Sequence, residues 1–204
     1  MKPHARAIIV IGGLLLLNGL VIGAPMTISE LTAGHEVTFE ESVADWRYVA
    51  FNAVYLAVLI ALVAAMPSLA GWTGRTGRRM PRWIVPAFTV AAALQACTVF
   101  TQAVVTPFLL DVAPQALVAE DGGIFAVTMT VVWVTWIVAL CTLAVCGIVT
   151  KTMPVAASVV MIVGGIIIPV FGPIGSILVG AAFAWSGWAQ LRVAAAPRVS
   201  AALA

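Results

Sequence analysis

Charge in this chain is confined to the gaps between six apolar stretches, and its sign alternates from gap to gap. Glu30, Glu36, Glu40, Glu41, Asp45, Asp111, Glu120 and Asp121 occupy the first and third gaps. Lys2, Arg6, Arg75, Arg78, Arg79, Arg82, Lys151, Arg192 and Arg198 occupy the N-terminal segment, the second and fourth gaps and the C-terminal segment. Arg47 alone breaks the pattern. Lys and Arg accumulate on the cytoplasmic side of membrane proteins, so the alternation predicts a path. The expected fold is an all-α, polytopic six-transmembrane-helix bundle of the plasma or inner membrane, with both termini inside.

Composition agrees. The chain has 204 residues, 63% hydrophobic and 9% charged. A soluble domain carries about 25% charged residues, and so few charges cannot cover a water-soluble globule. At about 20 residues per span, six spans leave only short loops, hence a single transmembrane domain. The loop arginines Arg75, Arg78, Arg79 and Arg82 act as an orientation signal. They are also placed to touch anionic lipid headgroups, each contact worth about 1 kcal/mol. Four arginines in one short loop are too few for nucleic acid. Cys97, Cys141 and Cys146 lie inside spans and form no Cys-x-x-Cys pair, which disfavours disulfide exchange. Lys2 and Arg6 ahead of an apolar run resemble a signal peptide. The run over residues 7–24 is long for one, and Pro25 follows the candidate cleavage point, so a retained first span is expected.

The spans are expected at about 6–26, 39–66, 81–105, 124–150, 154–170 and 176–191. Thr38-Phe39-Glu40-Glu41 matches a capping box, with Thr38 as N-cap and Glu41 at N3. The second span should therefore start above the membrane as one helix from near Thr38. Thr106-Pro107 should stop the third span, with a short interfacial helix after it near 108–110. Trp72, Trp83, Trp185 and Trp188 are expected as interfacial anchors. Gly164-Gly165 and Pro169 would let the fifth span bend. Each inside-to-outside span opens with a base and a proline: Lys2-Pro3, Arg79-Met80-Pro81 and Lys151-Thr152-Met153-Pro154. Three related hairpins would explain this. So would the fitness of proline for a helix's first turn.

The membrane interior lacks reactive groups. No Asp, Glu, Lys, Arg or His lies within the core of an expected span, whereas proton relays, pumps and voltage sensors need them. His4 and His35 fall in a tail and a loop, which removes bis-histidine haem. No intramembrane lysine is present for a retinal Schiff base, and no residue set for intramembrane proteolysis. The expectation is a non-enzymatic protein with no cofactor and no metal. His35, Glu36, Glu40, Glu41 and Asp45 offer imidazole and carboxylates to a cation. A cap at Thr38 separates Glu36 from Glu40, and a solvated acidic loop is the simpler reading.

Polar residues within the spans fall in stripes. Tyr48, Asn52 and Tyr55 are spaced i, i+4, i+7, and Gln95, Thr98 and Gln102 i, i+3, i+7, each on one helix face. Thr128, Thr135 and Thr142 repeat every seven residues. At 1.5 Å per residue, Asn18, Tyr55, Gln95 and Trp136 fall near mid-span, and Asn52, Gln102 and Thr128 roughly 5–12 Å further out. Trp133 and Trp136 are unusual at that depth, because a buried indole N–H wants an acceptor. Gln95 or Gln102 is placed to supply one. Two readings stay open. The stripes either hydrogen-bond helices together, at about 0.6 kcal/mol each, or line an uncharged pocket open to the outside. Tyr48, Asn52, Tyr55, Gln95, Thr98, Gln102, Trp133 and Trp136 would line it, and it would suit a neutral or amphiphilic ligand or a lipid tail. Gly19-x-x-x-Gly23 and Ser176-x-x-x-Gly180-x-x-x-Ala184 are small-residue ridges for close helix contact. They would pack within the chain, or in a homo-oligomer or a partner interface.

The run Lys151-Thr152-Met153-Pro154, an apolar helix with Gly164-Gly165, and a hairpin into a Trp-ended last span resemble six-span membrane proteins of actinobacteria. That group has no assigned activity. The resemblance covers mainly spans 3 to 6 and implies topology alone. The leading functional expectation is a membrane component that binds a neutral or lipid-like ligand, or an accessory subunit of a larger membrane complex. The alternative is a small oligomeric transporter for an uncharged solute. Membrane lipids are the expected partners.

Overall fold

Where no water reaches the backbone, every N–H and C=O must be satisfied within the segment, and a helix achieves this. The computed structural model describes residues 2–74, 77–116 and 123–195, and its apolar runs are helical throughout. Helix α1 (Lys2–Asn18) continues through a π-helical turn (Gly19–Gly23) into α2 (Ala24–Leu31). Then come α3 (Phe39–Ala44), α4 (Trp46–Ala65) and a 3₁₀ segment (Met66–Gly71). Helix α5 (Ile84–Phe100) continues through a second π turn (Thr101–Val105) into α6 (Thr106–Val112). The remaining helices are α7 (Gly123–Thr150), α8 (Val155–Ile167) and α9 (Gly172–Ala195). Among the described residues, five helical rods are long and apolar enough to cross a membrane. Helix α8 has 13 residues, about 20 Å at 1.5 Å per residue, against a hydrocarbon core of about 30 Å.

Three boundaries differ from the sequence reading. The first rod runs to Leu31 rather than ending near Met26, and the third runs through Thr106-Pro107 to Val112. A proline within a helix lacks the N–H for its own hydrogen bond. Here each proline follows a widened turn that absorbs the defect. The Ala24 N–H bonds to Gly19 O, and the Thr106 N–H to Thr101 O, both five residues back. The third difference is in the second span. Its capping box forms: the Glu41 N–H donates to Thr38 Oγ1 at 3.3 Å, and the Thr38 N–H to the Glu41 carboxylate at 2.9 Å. Yet α3 ends at Ala44. Asp45 leaves the helical conformation, with ψ at 120°, and its carboxylate accepts from the Arg47 N–H at 2.9 Å. Aspartate is a strong N-cap, so it starts a second helix where the capping box alone suggests a single one.

The five rods and α8 close a ring in chain order. Helix α1 packs on α4, α4 on α5, α5 on α7, α7 on α8, α8 on α9, and α9 back on α1. Leu59, Phe88, Trp136, Leu140, Met161 and Phe183 are fully buried in the core this encloses. The Phe88 ring lies 5.3 Å from that of Trp136 and 6.3 Å from that of Phe183. The outer surface is also apolar, with Val10, Val90, Val138 and Val159 all exposed.

The α1–α9 seam is the tightest. A Cβ on Gly12 would stand 2.5 Å from the Ala184 N and 2.6 Å from the Gly180 O. One on Gly180 would stand 2.6 Å from the Leu16 N. Gly19 faces Ile177, and Gly23 faces Pro173. Both small-residue ridges thus lie in the α1–α9 seam of one chain, Gly180 against Gly12 and Leu16, and Gly19 and Gly23 against Ile177 and Pro173; Ser176 is buried. Gly164 and Gly165 serve close packing too, against Leu178 and Leu140, and α8 runs unbroken through them.

At one end of the ring, the α4–α5 loop folds back as a small hairpin. The Gly74 N–H bonds to the Arg78 O at 2.7 Å, with an isolated bridge between Thr73 and Arg79. Trp72 is buried there rather than lying at a surface, while Trp83 is exposed. Gln190 Nε2 donates to Thr152 O at 2.6 Å and to Thr73 O at 3.4 Å, stitching two loops to α9.

Candidate functional site

Helix α4 packs against both π turns, and its polar stripe lies along that half of the bundle. Tyr48 is half-buried, edge-on to Phe39 with centroids 6.3 Å apart. Asn52 is buried, and its Nδ2 donates to Tyr48 O at 2.9 Å within the same helix. Tyr55 is buried one turn further in, beside Phe51 at 6.0 Å. Its hydroxyl interacts with the Trp136 side chain without reaching hydrogen-bond geometry. From α1, Asn18 Nδ2 donates to Phe51 O at 2.9 Å, a true interhelical bond.

Helix α5 packs between α4 and α7, and Gln95 on its inner face is 0% exposed. Neither amide atom of Gln95 has a partner, nor do the Tyr55 hydroxyl, the Trp136 N–H and Asn18 Oδ1. Buried serines of α8 and α9 (Ser158, Ser176, Ser186), the Tyr48 hydroxyl and the Trp72 N–H are unpaired elsewhere. A buried polar atom without a partner costs about 1–3 kcal/mol. Four such side chains, one each from α1, α4, α5 and α7, are buried in this part of the bundle. They offer amide, phenol and indole groups and no charge. Trp136 also packs on Phe88, which lies about 10 Å from Gln95 along α5 at 1.5 Å per residue, and through it on the Phe183 side of the core.

Other members of the expected pocket stand apart. Thr98 is buried but bonds back to Leu94 O at 3.4 Å. Gln102 is only half-buried, while Ala103 and Thr106 are buried. The π turn inserts one residue, so the inward series runs 95, 98/99, 103, 106. Trp133 is half-buried and packs on the core from outside. Thr135 and Thr142 hydroxyls bond back to Val131 O and Val138 O at 2.7 and 2.6 Å, and Thr128 is exposed. That stripe lies beside the buried face of α7, which carries Trp136, Leu140 and Leu143. Sequence reasoning misses the π turns. Their one visible sign is a proline inside an apolar run that does not end.

Two surface cavities lie at the ends of the bundle. One of about 230 Å³ lies between α2 and α3, lined by Ser29, Glu30, His35, Glu41, Ser42 and Asp45. Its acids are engaged. Ser42 Oγ donates to Glu30 at 2.8 Å, and His35 Nε2 lies 3.6 Å from Glu41. The Thr38 N–H holds the Glu41 carboxyl below its ordinary range, and Arg47 does the same for Asp45. Among the described residues no group of three His, Cys, Asp or Glu is arranged to hold a metal ion. The second cavity, about 480 Å³, lies between the α7–α8 turn and α9. Of the loop arginines, Arg78, Arg79 and Arg82 are exposed, and Arg75 lies outside the described residues.

Fold and site together define a class: an α-helical bundle whose described residues include five helices long and apolar enough to cross a membrane, with uncharged polar side chains buried inside it. No protein-family model, no curated protein and no solved structure matches the chain.

Proposed function

We propose that the chain is a six-span protein of the plasma membrane, both termini cytoplasmic, and that it binds a small uncharged or amphiphilic molecule from the outer side. The binding locus lies between α1, α4, α5 and α7. Helix α8 counts as the sixth span, short in itself and extended by its flanking turns. Contacts support the topology. Helix α3 packs on α6, which gathers acidic gaps at one end, and Gln190 joins the loops carrying Thr73 and Thr152, which gathers basic gaps at the other. The resemblance to six-span actinobacterial proteins points the same way.

The observation that carries the binding reading is Gln95, wholly buried with both amide atoms unpaired. An amide in hydrocarbon without a partner is costly. Tyr55 and Trp136, on the two helices that flank α5, are likewise buried with unpaired polar atoms, which favours a molecule that supplies the missing bonds. The locus holds no carboxylate, imidazole or amine, so it suits recognition rather than acid–base chemistry. The protein thus acts as a binding component, alone or as an accessory subunit.

Native mass spectrometry of protein released from lipid tests this. Wild type should carry a stoichiometric small molecule. Gln95→Leu should lose it while melting no lower, since leucine removes the unpaired amide. Retention of the molecule together with a lower melting temperature would make Gln95 a structural residue and end the proposal. A stable homodimer that moves a neutral solute into proteoliposomes would instead favour the transporter reading.

A further inference from the structure

Helix α7 ends in an unusual way. The Lys151 N–H bonds to Ile148 O and the Thr152 N–H to Gly147 O, both at 3.0 Å. This pair of bonds is the Schellman closure, which needs a left-handed residue just past the helix end, usually glycine. Here the residue is Lys151, at φ 57°. A Cβ in that conformation costs free energy that glycine escapes. A base near a helix C-terminus is favourable in itself, but any neighbouring loop position would serve that purpose.

Lys151 is exposed and lines the 480 Å³ cleft, together with Ile148, Met153, Pro154, Val155 and Val193. Among the described residues, no acidic side chain lines it. Its floor is tied down: the Thr150 and Thr152 hydroxyls lie 2.8 Å apart, and Gln190 holds the Thr152 carbonyl. At the same level of α9, Trp188 is exposed and Arg192 stands 3.5 Å over its ring. Such aromatic and basic pairs sit at the membrane–water interface. The volume lies within the roughly 300–1,000 Å³ of ligand sites. We infer that this cleft binds an anionic phospholipid, with Lys151 on the headgroup phosphate and the apolar walls along the upper acyl chain. A free phosphate would have no use for those walls. The inference rests on the proposed topology and not on the Gln95 locus.

The test uses the purified full chain in neutral detergent micelles doped with phosphatidylglycerol or with phosphatidylcholine of the same chains. Melting temperature and bound lipid, by native mass spectrometry, are the readouts. Lys151→Asn and Lys151→Gly remove the charge while suiting the left-handed backbone, and Lys151→Arg keeps it. Phosphatidylglycerol should raise the melting temperature of wild type and Lys151→Arg, and phosphatidylcholine should not. Both neutral variants should lose most of that shift and one bound lipid, yet melt no lower than wild type without lipid. An unchanged shift in both neutral variants would overturn the site. So would an equal shift from glycerol phosphate alone, since the cleft would then read a free anion. Micelles have no sides, so a failed topology, seen as labelling of Lys151→Cys from outside in cells, is read separately.

Discussion

Arg47 is the one base on the acidic side of the charge pattern, and its neighbours account for it. Its guanidinium pairs with Asp45, Nη2 to Oδ2 at 2.6 Å and Nε to Oδ2 at 2.7 Å. It also donates to Pro25 O at 3.3 Å and Ser29 Oγ at 3.2 Å. The residue therefore latches the start of α4 to α2, with its charge balanced locally. Arg47 holds Asp45 below its ordinary value, so the carboxylate's contribution is complete above its unfolded pKa of about 3.9. It is lost as pH falls through the lower folded value. Thermal melts from about pH 5 down to 3 should show wild type losing more stability than Asp45→Asn, with a difference under about 1 kcal/mol because the pair is partly exposed. At the core, Phe88 touches Trp136 and Phe183 on two other helices. Phe88→Ala should cost about 3–5 kcal/mol, measured by unfolding in mixed micelles.

At the scale of the element, the two π turns matter most. Each shifts the inward face by one residue. In the first rod the buried series runs 15, 18/19, 23, 26, and in the third 95, 98/99, 103, 106. Both turns precede a proline, and both lie against α4. Pro107→Ala restores an N–H and removes the reason for the wide turn. It should return the segment to regular α-helix and turn Gln102 inward in place of Ala103. Cysteine scanning at these two positions checks this: protection should move from 103 to 102. The capping box of Thr38 and Glu41 is legible in the sequence, because capping depends on residues three apart along the chain. The break at Asp45 follows the same rule of capping but competes with an equally good helix through it. The slip at Gln102 is not legible. Periodicity of 3.6 assumes a regular helix, and sequence shows the proline without showing how the chain accommodates it.

For the whole molecule, ring closure depends on the α1–α9 seam. With the native cysteines replaced by alanine, cysteines at Ile9 and Gly187, which face each other across it, should cross-link within one chain. Migration as a dimer would place the ridge between copies instead. Gly180→Leu should destabilise strongly, since even a Cβ meets the α1 backbone at 2.6 Å. Topology is checked by membrane-impermeant labelling, which should reach a cysteine at Glu40 from outside and not one at Arg78. Sequence alone determined that the chain is helical and, to within the three boundaries corrected above, where its apolar helices run. Hydrocarbon tolerates neither unpaired backbone nor free charge, and both constraints act on residues one at a time. Only the tertiary structure decided which face of each helix meets another. In lipid the outside of a bundle is as apolar as the inside, so hydrophobicity cannot tell Val138 on the surface from Leu140 in the core. It also could not tell the threonine stripe of α7, which faces outward, from Gln95, which the ring encloses.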